Sequence, residues 1–124
     1  MNPAQIILIE DNLADVLLVE MALRQNNVRY QMTRFEDGEE AVDALCSPGG
    51  RALGLRPDAI LLDLNTPLSD GFDVLGRLRR NPLFADVPIA IISSSQAPSD
   101  KHRARLMGAV RYIEKPSQLD LGLG

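Results

Sequence analysis

The sequence predicts a doubly wound α/β domain built on a five-stranded parallel sheet. Two observations carry this. Short β-branched and aliphatic runs without polar alternation mark strands buried on both faces, and segments of helical period separate one run from the next. That alternation implies right-handed crossovers and a sheet covered by helices on both sides. The 124 residues are expected to form a single domain, since a chain of this length holds one core and not two.

The first strand is Ile6 to Ile9. From Asn12 the pattern turns helical, with Leu13, Val16, Leu17 and Met21 recurring at helical spacing, and Asn26-Asn27 supplies a left-handed stop. Val28 to Phe35 reads as the second strand and Glu36-Asp37-Gly38 as a turn. A short helix, Glu39 to Cys46, carries Val42 and Leu45 on one side. Ser47-Pro48-Gly49-Gly50 ends it, and a loop runs to Pro57. Ala59 to Leu62 is the third strand. Asp70-Gly71 opens a helix with Val74, Leu75 and Leu78 inward and Arg77, Arg79 and Arg80 outward, which Asn81-Pro82 breaks. Ile89 to Ile92 is the fourth strand. Pro98 suits the first turn of a further helix ending near Gly108, and Val110 to Ile113 is the fifth strand.

Composition narrows the function classes. A net charge of −4 argues against non-specific binding to nucleic acid, which needs a basic surface. Cys46 is the single cysteine, so neither an intrachain disulfide nor a Cys-rich zinc site is available, and it reads as a packing residue. The apolar runs are far too short to span a membrane, and the N-terminal residues lack the pattern of a signal peptide, so the expected compartment is the cytoplasm. His102 is the single histidine and reads as a surface residue. Gly49 to Gly54 lacks the Gly-Lys-Ser/Thr of a phosphate loop and reads as surface loop. The basic run Lys101-His102-Arg103-Ala104-Arg105 reads as a solvated helix face that an acidic partner could also use.

In open α/β sheets the functional site lies at the carboxyl ends of the strands. Here those ends are Glu10-Asp11, Asp63, Ser93-Ser94-Ser95 and Glu114-Lys115-Pro116. Gathered on one edge, they bring together three carboxylates, a hydroxyl and an ammonium. Two carboxylates ~5 Å apart repel by about 3 kcal/mol at an effective dielectric near 20, so such a group needs compensation. Mg²⁺, a hard cation with a preference for oxygen ligands, supplies it. The set suffices for phosphoryl transfer: Asp63 as nucleophile, the metal and Lys115 as neutralising charges, and a hydroxyl from the fourth strand as hydrogen-bond donor.

The residues Glu10-Asp11, Leu62-Asp63-Leu64-Asn65-Thr66-Pro67, Asp70-Gly71, Ser93 and Lys115-Pro116 resemble the receiver domain of two-component response regulators, from Ile6 to Pro116. The long segment before Pro57 and the wording Asp63-Leu64-Asn65 are similar to single-domain regulators that partner phytochrome-type histidine kinases. The resemblance implies a flavodoxin-like sheet of order 2-1-3-4-5. It makes Asp63 the phosphoacceptor, fed by a histidine kinase or phosphotransfer protein. It assigns Mg²⁺ to Glu10, Asp11, Asp63 and the Asn65 carbonyl, with Asp11 the more direct ligand of the acid pair. Ser93 takes the switch position, Tyr112 is the aromatic that turns inward with it, and Lys115 pairs with the phosphoryl group ahead of a cis Lys115–Pro116 peptide. The small Ser94 implies an open site. Such a protein is a switch that assists its own phosphorylation and dephosphorylation, and not a turnover enzyme.

One departure concerns the end of the sequence. The eight residues after Pro116 are too few for a stable amphipathic helix, so the last helix is expected to be short or missing. A partner or a second copy in a homodimer would then cover the bared sheet face, unless the sequence is part of a longer chain. Two alternatives stand beside the main reading. One is a receiver-fold binding module that works without phosphorylation. The other is an aspartate-nucleophile phosphatase of the haloacid dehalogenase type, whose Asp-x-Asp-x-Thr loop Leu62 to Thr66 imitates, with Asn65 in place of the second acid.

Overall fold

A computed structural model describes residues 2–46 and 57–115. The order along the chain is β1 (Ala4–Ile9), α1 (Leu13–Gln25), β2 (Tyr30–Phe35), α2 (Gly38–Cys46), β3 (Ala59–Asp63), α3 (Gly71–Arg80), a 3₁₀ turn (Pro82–Phe84), β4 (Ile89–Ser93), α4 (Pro98–Leu106) and β5 (Arg111–Glu114). The strands form one parallel sheet in the order β2-β1-β3-β4-β5, the flavodoxin-like arrangement expected. The stretch 47–56, which holds the glycine-rich loop, and residues 116–124, which hold the Lys115–Pro116 peptide and the question of the last helix, lie outside the described residues.

Alternate side chains of the central strands feed two cores, as the two-residue period of a strand dictates. Ile7, Ile9, Ile60, Leu62, Ile89 and Ile91 pack with Val42 and Leu45 of α2 and Val74, Leu75 and Leu78 of α3. Half-buried Cys46 packs against the same cluster. Leu8 and Ile92 face the other way and meet Val16 of α1. An apolar groove of 770 Å³ runs between α1 and β5, lined by Leu18, Val19, Leu61, Ile92 and Ile113 among others.

The helix ends follow local chemistry. Asn12 caps α1 by accepting from the N–H groups of Ala14 at 2.8 Å and Asp15 at 3.3 Å. Asn27 takes the left-handed conformation at φ 59°. Asp70 caps α3 by accepting from Phe72 N–H at 2.9 Å, and Pro98 stands in the first turn of α4.

One expectation, the outward Arg79, needs correction, and the apolar pattern of α1 divides into two stripes. The apolar residues of α1 surround the helix: Val16 is buried and Val19 half-buried, whereas Leu13, Leu17 and Met21 are 65%, 59% and 50% exposed. Their helical spacing therefore marks an outer stripe and not the buried one. Arg79, expected to point outward, folds back over the edge of the sheet away from the strand carboxyl ends. Its guanidinium donates to the carbonyls of Phe84, Val87 and Gly108 at 2.7–3.0 Å. Those carbonyls lie in bends that β-ladders do not serve, and the five donors of Arg satisfy them together.

Candidate functional site

The carboxyl ends of β1, β3 and β4, with the residue after β5, meet at one edge of the sheet. Glu10 follows β1 and is 1% exposed, and Asp63 ends β3 at 3% exposed. Asp11 lies on the surface above them. One carboxylate oxygen from each of Glu10, Asp11 and Asp63 falls within 4.8 Å of the others. Ser93 ends β4, fully buried, one residue past the partner of Asp63 in the β3–β4 register.

Backbone contacts hold these groups in place. The Asn65 N–H donates to Asp63 Oδ1 at 3.0 Å, turning the chain tightly after β3. Gly71 N–H closes the following loop on the Leu64 carbonyl at 3.1 Å. Within that loop Thr66 Oγ1 and Ser69 Oγ lie 3.0 Å apart, and Leu68 is held at φ 65°. Arg34 of β2 donates to the carbonyls of Glu10 at 2.9 Å and Asp11 at 3.0 Å, fixing the turn that presents the acid pair.

Lys115 reaches into the pocket from beyond β5. Its backbone N–H donates to the Ser93 carbonyl at 2.8 Å. Its Nζ lies 2.5 Å from Glu10 Oε1, 2.8 Å from Asp15 Oδ2 and 3.0 Å from Asp63 Oδ2. Burial alone would lower the pKa of this ammonium. The neighbouring carboxylates of Asp15, Glu10 and Asp63 outweigh burial, and the pKa is raised, so Lys115 stays charged at any physiological pH. For Glu10 burial comes first and the neighbouring Asp63 carboxylate second. Together they push its carboxyl up to about 8 against the opposing pull of Lys115.

The donor set fits a hard divalent cation. It is all oxygen, and it carries more negative charge than one ammonium balances. It also contains a buried oxygen, Glu10 Oε1, that makes no hydrogen bond: the contact with Lys115 is close, but its angles are not those of a hydrogen bond.

The structure thus brings together Glu10, Asp11, Asp63 and Lys115, with Asn65 in the turn beside Asp63. Ser93 sits on the adjacent strand end, and Tyr112 is separate from this group. Half-buried, Tyr112 donates its hydroxyl to the Ser95 carbonyl at 3.0 Å, and Lys101 approaches its ring at 6.0 Å. Ser95 Oγ in turn donates to Asp100 at 2.6 Å. In the basic run of α4, Lys101 pairs with Glu114, Arg103 stacks on Phe72, and His102 and Arg105 are exposed.

Sequence reasoning missed Asp15 and Arg34. Asp15 reads as an ordinary acid in the first turn of a helix. The partners of Arg34 are carbonyls, which no side-chain pattern reveals.

The arrangement sets a buried aspartate between an acid pair on one side and a lysine on the other. The family profile for the response regulator receiver domain matches residues 6–122, and the chain belongs to that family. It is 34% identical over 117 residues to the response regulator Rcp1 of Synechocystis, covering 94% of this chain and 80% of Rcp1. The crystal structure of the phosphorylated cyanobacterial phytochrome response regulator RcpA superposes with a TM-score of 0.84 at 35% identity, covering 95% of this chain and 84% of RcpA. The Mn²⁺-bound form of Rcp1 superposes with a TM-score of 0.83 at 31% identity, covering 94% and 84%. The chain is therefore a two-component receiver domain, akin to regulators of the phytochrome type.

Proposed function

We propose that this chain acts as one receiver unit that accepts a phosphoryl group on Asp63 from a phytochrome-type histidine kinase or a phosphotransfer protein in the cytoplasm. The observation that carries the reading is the convergence of Glu10, Asp11, Asp63 and Lys115 on a single edge of the sheet. The kinship with Rcp1 and RcpA supports the choice of donor. No described helix is long and apolar enough to cross a membrane.

In this mechanism a carboxylate oxygen of Asp63 forms the new P–O bond as the donor's P–N bond breaks, and the leaving imidazole takes the electron pair. Glu10, Asp11, Asp63 and the Asn65 carbonyl would hold Mg²⁺, which supplies neutralising charge to the phosphoryl oxygens. Lys115 Nζ, already 3.0 Å from Asp63 Oδ2, neutralises the same oxygens from the other side, and Ser93 offers its hydroxyl proton. The domain assists its own phosphorylation and dephosphorylation by this positioning and releases no product from a substrate pool. Intact mass after acid quench, on protein incubated with a small phosphodonor, tests the reading. One added phosphoryl group that requires Mg²⁺ is expected. No adduct from either small donors or a phosphorylated histidine kinase leaves the chain a binding module.

The raised Glu10 carboxyl gives the metal site a pH signature. Glu10 would have to give up its proton to serve Mg²⁺, so affinity is expected to rise by up to about tenfold per pH unit from pH 6 to pH 8 and then level off. Calorimetry in two buffers of different ionisation enthalpy reads this proton release directly, and Asp11→Ala weakens binding roughly tenfold or more. An affinity flat across that range would separate Glu10 from the metal site. Without metal the sign reverses. The Glu10 contribution to stability is full below its ordinary value of 4.5 and is lost as pH rises through about 8.

Ser93→Ala separates acceptance from response. The variant takes up the phosphoryl group, but the Tyr112 ring resonances stay at their unphosphorylated positions, because the buried hydroxyl that would follow the phosphoryl group is gone. Wild-type movement of those resonances in Ser93→Ala would remove Ser93 from the switch.

A further inference from the structure

A fourth carboxylate touches the pocket and belongs to none of the roles above. Asp15 lies in the first turn of α1 and accepts from Lys115 Nζ at 2.8 Å, across a separation of 100 residues. It is set there by the Asn12 cap, whose side chain holds the Asp15 N–H at 3.3 Å. The contact is sheltered, with the two side chains 22% and 14% exposed. Among the described residues the carboxylates that can share a cation are Glu10, Asp11 and Asp63, without Asp15.

We propose that Asp15 is a positioning residue that holds the Lys115 ammonium at the mouth of the pocket, so that it meets the phosphoryl group on Asp63. An ammonium has three N–H groups, and here Asp15, Glu10 and Asp63 surround it. When Asp63 is phosphorylated and Glu10 serves a cation, Asp15 remains the fixed partner that keeps the four-carbon stem aimed inward. Without it the ammonium is drawn onto Glu10 or swings out to water. This rests on the proposed phosphoacceptor reading, and names the residue that aims its lysine.

The test compares wild type, Asp15→Ala and Asp15→Asn, each also in a Lys115→Ala background. Phosphorylation rate is followed against the concentration of a small phosphodonor, alongside Mg²⁺ titration. Asp15→Ala should lower the limiting rate roughly tenfold, with the half-saturating donor concentration and Mg²⁺ affinity near wild type. Asp15→Asn, which keeps an acceptor oxygen, should restore most of the rate. In the Lys115→Ala background Asp15→Ala should add nothing, as befits a residue acting through that lysine.

A wild-type rate in Asp15→Ala would overturn the proposal. So would an effect that persists without Lys115, or a loss of Mg²⁺ affinity like that of Asp11→Ala. Absence of any adduct on wild type is the separate failure of the phosphoacceptor reading. ¹⁵N spectra of the Lys115 ammonium then decide. A slowly exchanging signal in wild type and Asp15→Asn, broadened in Asp15→Ala, supports the tether, and a signal unchanged in Asp15→Ala refutes it.

Discussion

Asp63→Asn is expected to take up no phosphoryl group, from a small donor or from a kinase, while folding like the wild type. The substitution is close to isosteric, so the new amide oxygen can still accept from the Asn65 N–H that now donates to Asp63 Oδ1 at 3.0 Å. What disappears is the nucleophile: a neutral amide oxygen cannot form the acyl phosphate that a carboxylate forms. The change also removes one of the three carboxylates grouped for a cation and one of the three around Lys115. Intact mass together with far-UV circular dichroism checks it. An adduct retained on a folded Asp63→Asn protein would move the acceptor elsewhere in the pocket, with Asp11, the exposed acid, the first to examine.

Gly71→Ala is expected to have the largest effect on stability. A Cβ on Gly71 would lie 2.4 Å from Leu64 Cα and 2.7 Å from the Leu64 carbonyl oxygen, and these are backbone atoms, which no side-chain rotation can move away. At Gly38 the closest atom, at 2.3 Å, is a side-chain methyl of Val74, which can shift. The clash at Gly71 falls on the hydrogen bond that closes the loop after Asp63. A cost of about 3 kcal/mol follows, which corresponds to a fall in Tm of roughly 10–15 °C for a domain of this size. Thermal melting checks it, and a Tm within a few degrees of wild type would mean that the loop has slack the structure does not show.

These two residues are not equally visible in the sequence. Asp63 is legible because a lone acid ending an apolar run, on a sheet that must be parallel, can only stand at the functional edge. Glu10, Asp11 and Lys115 are legible for the same reason, and β1, β3 and β4 because both their faces are buried. The inward side of α1 is not. Leu13, Leu17 and Met21 fit a helical period as well as Val16 and Val19 do, and only the position of the sheet decides between the two stripes. Arg79 misleads because a helix terminus rich in arginine looks solvated, whereas its partners are carbonyls supplied by the turn before β4 and by Gly108 after α4. Asp15 is invisible because its partner lies at the far end of the described chain. Residues that act through a single long-range contact carry no local pattern, and they are where reading from sequence alone stops.

Arg79 and Lys115 give the two ends of the sheet different characters. At one end a guanidinium is satisfied by neutral carbonyls, whose charge no ligand or proton alters. At the other an ammonium sits among the carboxylates of Glu10, Asp15 and Asp63. A change of charge at the rim acts directly on the groups that hold Lys115, whereas the partners of Arg79 carry no charge to change.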